Sequence, residues 1–362
     1  MILAQKLTAR IRQSGKITFY EWMNTALYHP TLGYYNREDL QRWGREGDYR
    51  TSPERSELFS ATFARYFATL YDKLDQPKNF SIVEMGAGNG EFAAGVLQEL
   101  QDQFPAVFDA TKYIIHEKSE DARRRGMQRL SEWESKVEFK DLAQHEAIEA
   151  GLVFSNELLD AFPVHRLTMA EGKLQELFVD LDADGEFTWE EGPLSSETLN
   201  DFCRNHLPPL NDEQTVDINL DVQDWFQLLD KKLKRGYIVT VDYGSESTEL
   251  YETPERSGGT LRGFRRHNFV GNVLEAPGET DLTTSVDWTY VKSEGKRSGF
   301  EADELSPLDK FLLQVGILDE LEKRLTASTS EADKSRLTTA AREMILPSGM
   351  ASSFQVLVQK RL

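Results

Sequence analysis

Cysteine is almost absent from this chain of 362 residues, in which Cys203 is the single instance. One cysteine cannot form an intramolecular disulfide, nor can it supply the several thiolates of a cysteine-based zinc site. The six histidines are scattered and show no spacing typical of metal ligands. The sequence therefore predicts no metal site and indicates a reducing compartment.

Long apolar runs are missing as well. No segment approaches the about 18 uninterrupted apolar residues that a membrane-spanning helix needs. Residues 1–10 lack the apolar stretch and the small-residue cleavage site of a secretory signal. We therefore expect no insertion into a membrane, and we predict a cytoplasmic location.

Positive charge is scarce, with 42 Lys and Arg residues against 61 Asp and Glu residues. The resulting formal net charge of -19 repels the phosphates of nucleic acids and anionic lipids. Nucleic acid is therefore not an expected partner. An acidic surface suits a cationic ligand or a basic loop of another protein, and it equally well serves solubility alone.

What the chain does contain is a regular alternation of strand and helix patterns. Apolar runs rich in β-branched and aromatic residues are followed by segments with helical periodicity. This alternation is typical of βαβ units, so it predicts an α/β fold with a doubly wound, mostly parallel sheet. The predicted strands are residues 80–84, 112–117, 137–139, 152–155 and 237–242, with residues 354–360 as a final edge strand.

An N-terminal segment precedes this alternation, and an insertion interrupts it. Residues 1–75 are predicted to form N-terminal helices and a lid loop, and residues 76–362 the core, with an insertion at about 165–235. Within the insertion, Asp184-Gly185 is a favoured turn pair and predicts a hairpin, which a helix follows. The hairpin carries four apolar side chains, those of Leu177, Phe178, Val179 and Leu181. They could form a homodimer face or could equally cover the sheet.

A glycine-rich turn follows the first predicted strand, with the pattern E-x-G-x-G-x-G. Gly86, Gly88 and Gly90 permit positive φ angles and a close approach of backbone to a ligand. The dinucleotide fingerprint is G-x-G-x-x-G, so the third glycine comes one residue early here, and Glu84 precedes the first. The acid that ends the second strand, Glu117, also lies further along than the ribose-binding acid of that motif. A nicotinamide oxidoreductase is therefore the least favoured enzyme.

S-adenosylmethionine is a ligand without pyrophosphate that fits this arrangement. Open α/β sheets bind ligands at the carboxyl ends of their strands. There Glu84 can face the cationic end of the cofactor, and Glu117 can accept both ribose hydroxyls. Asp141 and Leu142, just after the third strand, can meet the adenine amino group. The alternative is a structural glycine turn with solvated acids.

A second polar group stands at the end of the fourth strand, which lies beside the first. It consists of Asn156, Glu157 and Asp160. Methyl transfer to nitrogen needs a nucleophile held in line with the methyl group, and sometimes a base that removes a proton. Paired carboxylates suit the planar fork of a guanidinium, which favours arginine as the acceptor. The alternative is a helix N-terminus whose acids complement the helix dipole.

A loop at residues 29–53 is long for a structureless connection in a compact domain, and such loops are often functional. Its last part, residues 47–54, is a candidate lid. Ser52 before Pro53 is also ordinary helix-capping chemistry. The candidate lid and substrate-contacting residues are Asp48, Tyr49, Ser52, Pro53 and His267.

With these motifs in this order, the chain resembles the MidA-type methyltransferase family, which includes the mitochondrial complex I assembly-factor protein arginine methyltransferase. The resemblance runs nearly end to end. The resembling stretches are A-L-Y at 26–28, G-Y-Y at 33–35, G-D-Y-R-T-S-P-E at 47–54, V-E-M-G-A-G-N-G at 83–90, N-E-L-L-D-A-F-P at 156–163, D-Y-G at 242–244, T-L-R at 260–262 with His267, P-G at 277–278, D-L-T at 281–283, V-D at 286–287 and F-Q-V-L at 354–357.

The resemblance implies a class I methyltransferase (Rossmann-like) fold that uses S-adenosylmethionine. For the mitochondrial member it implies symmetric dimethylation of an arginine in a core subunit of NADH dehydrogenase, in support of assembly. A protein substrate is therefore the expected partner. The rival readings are a small-molecule methyltransferase and an assembly chaperone that keeps the fold without turnover. This chain departs from the family pattern at Ala87, Asn89, Glu91, Arg55 and Ser60, which puts the acceptor in question more than the cofactor.

Overall fold

The computed structural model describes residues 2–37, 39–40, 57–265, 268–346 and 349–362. Among these residues, every helix is too short or too polar to span a bilayer. The helices are α1 (Leu3–Ser14), α2 (Phe19–Tyr28), α3 (Glu57–Lys73), α4 (Glu91–Gln103), α5 (Pro105–Ala110), α6 (Glu120–Arg129), α7 (Glu197–His206), α8 (Asp221–Lys232), α9 (Ser247–Glu252), α10 (Trp288–Arg297), α11 (Leu308–Val315), α12 (Ile317–Ala327) and α13 (Glu331–Ile345). The strands are β1 (Ile17–Thr18), β2 (Phe80–Met85), β3 (Thr111–His116), β4 (Val137–Phe139), β5 (Gly151–Asn156), β6 (His165–Ala170), β7 (Lys173–Leu181), β8 (Phe187–Gly192), β9 (Thr215–Ile218), β10 (Gly236–Ser245), β11 (Arg262–Arg265), β12 (Asn268–Phe269), β13 (Asp281–Thr283), β14 (Val286–Asp287), β15 (Glu301–Pro307) and β16 (Phe354–Arg361).

The described residues divide into two compact units, and each unit is assembled from segments that are separate in sequence. This division does not coincide with the predicted boundaries at residues 75 and 165–235, because periodicity identifies elements but not which elements pack together. The first unit comprises residues within 1–49, 159–224 and 245–291, and the second comprises residues within 50–158, 225–244 and 292–362.

The second unit is built on a sheet with the strand order β15-β16-β10-β5-β2-β3-β4. Strands β10, β5, β2, β3 and β4 are parallel neighbours, and β16 pairs antiparallel with both β10 and β15. The strand order reverses at β2, since β3 and β4 lie on one side of it and β5 and β10 on the other. The doubly wound, mostly parallel sheet is therefore confirmed, and its ligand crevice is expected where β2 and β5 end.

The prediction of an edge strand at residues 354–360 is wrong. Strand β16 lies inside the sheet, with Val356, Leu357 and Val358 fully buried. The edge is occupied instead by β15, which pairs with β16 through a register shift near residue 303. The residues of β15 are exposed or only partly buried, and its sequence lacks the apolar signal that would have predicted a strand.

The first unit contains an antiparallel sheet in the order β1-β7-β6-β9, with β8 paired to β7. The hairpin β7–β8 confirms the turn predicted at Asp184-Gly185, where Gly185 has a φ of 84°. Val179 is buried in the core that α1 and α2 form, and Leu181 packs against that core. These two side chains therefore stabilise the unit itself, and a homodimer face on the hairpin stays a prediction.

Helix α2 begins at a capping box formed by Thr18 and Glu21. The Thr18 hydroxyl accepts a hydrogen bond from the Glu21 N–H at 3.1 Å, and the Glu21 carboxylate accepts one from the Thr18 N–H at 3.2 Å. Two of the N–H groups that a helix leaves unpaired at its start are thereby satisfied. The helix then buries Phe19, Trp22 and Met23 on one face.

An aromatic cluster fixes helices α3 and α4 against the sheet of the second unit. The ring of Phe154, on β5, stacks on Phe92 with 4.2 Å between centroids and 12° between planes. Phe63 and Phe67 of α3 contact the same ring at 5.2 Å and 5.6 Å. Because Phe154 lies two residues before the end of β5, this packing also fixes the start of the candidate site.

Truncation of this ring should destabilise the second unit strongly. We expect Phe154→Ala to lower the free energy of unfolding by about 3–5 kcal/mol, since it removes buried surface and leaves a cavity. Urea denaturation measures the change. The control Leu313→Ala truncates a side chain that is 42% exposed on α11 and should cost less than about 0.5 kcal/mol. Equal losses in the two variants would contradict the role given to the cluster.

Candidate functional site

The glycine turn after β2 adopts a conformation that requires glycine. Gly86, Gly88 and Gly90 have φ angles of 76°, 54° and 76°, in the left-handed region that side chains disfavour. A Cβ atom on Gly86 would lie 3.0 Å from a methyl carbon of Leu158, and one on Gly90 would lie 3.2 Å from the Cα of Gly126. The expectation of positive φ at these positions is confirmed, and a Cβ atom at Gly86 or Gly90 would also be in tight contact with these neighbours.

Glu117 follows β3 and connects the glycine turn to the next helix. One carboxylate oxygen accepts a hydrogen bond from the Gly88 N–H at 2.9 Å, and the other accepts one from the Ser119 N–H at 2.8 Å. The sequence predicted ribose hydroxyls as the partners of Glu117. The role of Glu117 in ribose binding stays a prediction.

Glu84 is buried within the sheet, where Tyr113 of the neighbouring strand donates a hydrogen bond of 2.7 Å to its carboxylate. Burial raises the pKa of Glu84 to about 8. The hydrogen bond from Tyr113 opposes this shift, and the negative charge of Glu117 adds to it. Glu84 therefore holds a proton near neutral pH until a positive charge approaches.

Asp141 and Leu142 form the turn that follows β4. The Asp141 carboxylate caps a short 3-10 helix by accepting the Ala143 N–H at 2.9 Å. The Leu142 N–H donates to Nδ1 of His116 at 3.0 Å. Since Nδ1 accepts, the ring carries its proton on Nε2, and burial lowers the pKa of His116 against the opposing charge of Asp141. The sequence analysis missed His116, although a polar residue directly before Glu117 was a usable signal.

Asn156 and Glu157 end β5, the strand next to β2. The Asn156 amide nitrogen donates to a Glu157 carboxylate oxygen at 3.1 Å. The Asn156 Oδ1 atom is buried and has no hydrogen-bond partner among the described residues. Such an acceptor costs about 1–3 kcal/mol if it stays unsatisfied, which favours a ligand donor at this point. Glu157 itself has a φ of 51°, which is unusual for a residue other than glycine.

The remaining candidates are Asp160 and the lid and substrate-contacting residues. Asp160 belongs to the first unit, where its side chain is buried and its carbonyl oxygen accepts the Thr284 N–H at 2.9 Å. Its catalytic role stays a prediction. The candidate lid and substrate-contacting residues lie outside the described residues: Asp48, Tyr49, Ser52, Pro53 and His267.

The second unit thus carries hydrogen-bond acceptors at the ends of neighbouring strands. Glu117, Asp141 and the Asn156 Oδ1 atom suit a ligand that presents several hydroxyl and amino donors, and the glycine turn admits close contact. S-adenosylmethionine has this chemistry: two ribose hydroxyls, the adenine amino group and an ammonium group. The residues present therefore fit the cofactor.

The fold and this arrangement define a class of enzyme, the S-adenosylmethionine-dependent methyltransferases. A sequence model of a family of S-adenosyl-L-methionine-dependent methyltransferases matches residues 62–306, more than half of the chain. The chain belongs to this family. The predicted enzyme class and the predicted cofactor, S-adenosylmethionine, are confirmed.

Individual relatives extend the similarity over nearly the whole chain. "Protein arginine methyltransferase NDUFAF7 homolog, mitochondrial" of Drosophila melanogaster is 28% identical over 82% of this chain and 70% of its own. "Protein arginine methyltransferase NDUFAF7, mitochondrial" of Danio rerio is 26% identical over 98% of this chain and 85% of its own. A crystal structure from Burkholderia thailandensis with bound S-adenosyl-homocysteine superposes with a TM-score of 0.88 at 28% identity, over 99% of this chain and 92% of that one.

The prediction of a cytoplasmic location is wrong by this comparison, because the curated relatives are mitochondrial proteins by name. The prediction depended on a scarcity of cysteine and on the lack of long apolar runs. Both properties are common to proteins of several compartments, so they could not distinguish one such compartment from another.

Substitution within the glycine turn should abolish cofactor binding while the fold persists. Valine at position 88 cannot adopt the φ of 54° without strain, so the turn must move and the hydrogen bond to Glu117 must break. We expect Gly88→Val to weaken binding of S-adenosyl-homocysteine by about 100-fold or more, equivalent to ~2.8 kcal/mol. Isothermal titration calorimetry measures the affinity.

The matched control is Gly172→Val. Gly172 also has a positive φ, of 72°, and a Cβ atom there would meet nothing within 4 Å. This variant suffers the same backbone strain in the first unit and should bind the cofactor product normally. Unchanged affinity in Gly88→Val would show that the turn does not border the cofactor.

Proposed function

We propose that this enzyme methylates an arginine side chain of a protein substrate. The substrate we propose is a core subunit of NADH dehydrogenase, whose symmetric dimethylation supports assembly. The observation that carries the proposal is the contact between Asn156 and Glu157 at the end of β5. The names of the curated relatives, which are protein arginine methyltransferases, support the same acceptor.

Residues of the second unit would hold the cofactor. Glu117 would accept the ribose hydroxyls, and the Asp141–Leu142 turn would meet the adenine. The backbone of the glycine turn would border the rest of the molecule, and the carboxyl group of Glu84 would balance its positive charge. When bound, S-adenosylmethionine supplies a reactive methyl group on a positively charged sulfur.

Glu157 is the residue we assign to the acceptor. Its carboxylate would accept N–H groups of the guanidinium and turn one nitrogen toward the methyl carbon. The hydrogen bond from Asn156 fixes one carboxylate oxygen before the acceptor arrives. The Glu157 carboxylate would take the proton that the guanidinium nitrogen loses on methylation, while the sulfur would keep the electron pair of the broken sulfur–methyl bond.

The test is a transfer assay with radiolabelled S-adenosylmethionine and dissociated NADH dehydrogenase subunits, followed by mass spectrometry of the labelled subunit. Dimethylarginine in one subunit supports the proposal. Label on a different residue type, or on small molecules only, would contradict the arginine acceptor. Cofactor binding by calorimetry without any transfer would favour an assembly chaperone that retains the methyltransferase fold.

Neutralisation of Glu157 should separate binding from turnover. We expect Glu157→Gln to bind S-adenosyl-homocysteine with unchanged affinity and to lose turnover by about 100-fold or more, since the proton has no acceptor. The matched control is Glu171→Gln, because Glu171 also has a φ of 51° but lies in an exposed turn of the first unit. Full activity in Glu157→Gln would remove Glu157 from the mechanism.

Cofactor binding should release a proton from Glu84. Burial raises the pKa of Glu84 from 4.5 to about 8, so the folded enzyme holds a proton there that the unfolded chain loses above pH 4.5. The stability contributed by Glu84 is therefore complete below pH 4.5 and is lost as the pH rises to about 8. A cationic ligand favours the carboxylate, so affinity for S-adenosylmethionine should increase over the same range.

Calorimetry at pH 7 in buffers of different ionisation enthalpy counts the protons released. We expect S-adenosylmethionine to release more protons from the parent enzyme than from Glu84→Gln, by up to about one proton. Equal release from the two proteins would mean that the Glu84 carboxyl does not respond to the cofactor.

A further inference from the structure

The turn that presents Glu157 is held in a conformation that its sequence does not favour. Glu157 has a φ of 51°, although it carries a long side chain. Residues other than glycine populate this region only when the surrounding structure enforces it. The position of the Glu157 carboxylate therefore depends on whatever holds the backbone of residues 156–158.

Val241 and Asp242 of the neighbouring strand β10 provide that restraint. The backbone pairing of β5 with β10 ends at Asn156 and Val241. Beyond it, the Glu157 N–H donates to the Val241 carbonyl oxygen at 2.9 Å. The next N–H, that of Leu158, donates at 3.2 Å to a carboxylate oxygen of Asp242. The Asp242 side chain thus continues the hydrogen-bond ladder between β5 and β10 beyond the last pair of backbone partners.

Asp242 is suited to this task by its two carboxylate oxygens and its burial. Its side chain is fully buried, and its second carboxylate oxygen accepts the Tyr243 N–H at 2.9 Å. One carboxylate thereby joins two backbone N–H groups, one in each segment. An asparagine of the same shape offers a single acceptor oxygen and would direct its NH₂ group toward one of these N–H groups. A side chain of the same shape but with one acceptor oxygen therefore cannot replace the carboxylate in accepting both N–H groups.

We propose that Asp242 is a positioning residue for methyl transfer, which holds Glu157 in the left-handed turn by its hydrogen bond to the Leu158 N–H. The inference rests on the proposed role of Glu157. Asp242 acts through that residue and touches neither substrate nor cofactor in this scheme. The D-Y-G motif at residues 242–244, noted in the sequence only as part of a family resemblance, thereby acquires a physical role.

The experiment compares Asp242→Asn, Glu157→Gln and the double variant in the transfer assay with dissociated NADH dehydrogenase subunits. We expect Asp242→Asn to lower kcat by about 10- to 100-fold, with the affinity for S-adenosyl-homocysteine changed less than about twofold. The double variant should be no slower than Glu157→Gln alone, because Asp242 has nothing to position once the carboxylate is gone. Amide hydrogen exchange should show faster exchange at Leu158 in Asp242→Asn.

The control is Glu99→Gln. Glu99 is a buried carboxylate of α4, paired with Lys323 at 2.7 Å and Arg324 at 2.8 Å. This variant loses a buried interaction outside the candidate site, so kcat should be unchanged and Leu158 exchange should stay slow. A purely structural effect of Asp242 would instead resemble this control.

Each outcome bears on one hypothesis. Multiplicative losses in the double variant, or slow exchange at Leu158 in Asp242→Asn, would overturn the positioning role. Full activity of Glu157→Gln would overturn the proposed function, while the exchange at Leu158 would still report whether Asp242 holds the turn. If Asp242→Asn does not fold, adding Glu157→Gly should restore the fold, since glycine adopts the left-handed conformation without strain. A double variant that still fails to fold would also overturn the positioning role.

Discussion

The parallel pairing of β2 with β5, from Ser81 and Gly151 to Met85 and Ser155, determines where the chemistry of the second unit can lie. It brings the glycine turn and the Asn156–Glu157 pair to the same edge of the sheet. The pairing of β3 with β2 adds Glu117 at that edge. Each of these polar groups is held by backbone N–H groups or by a neighbouring side chain, so the strand ends fix the side chains as well as the backbone.

Much of this arrangement could be predicted because it depends on local pattern. Apolar runs predicted the parallel strands, and the spacing of Gly86, Gly88 and Gly90 predicted a turn with positive φ angles. Strand β15 was missed because its sequence, E-A-D-E-L-S-P, has too few apolar residues to carry such a pattern. Asp242 and His116 were missed for another reason: their partners, the Leu158 and Leu142 N–H groups, lie far away in sequence and meet them only when the sheet forms.

The enzyme class and the proposed substrate of this protein are supported by different kinds of observation. The class follows from the fold and from a family match over residues 62–306. The proposed substrate depends on the contact between Asn156 and Glu157 and on the names of the relatives. The family match therefore supports the class more directly than it supports the acceptor.

The place of β16 between β10 and β15 has a consequence for synthesis of the chain on the ribosome. Strand β10 is complete at residue 245, but the neighbour that covers its outer edge is encoded more than 100 residues later. Until β16 is made, β15 has no strand to join, and β10 presents a row of unpaired N–H and C=O groups. An enzyme with this strand order therefore passes through a state with an open sheet edge, in which aggregation or chaperone capture competes with completion of the fold.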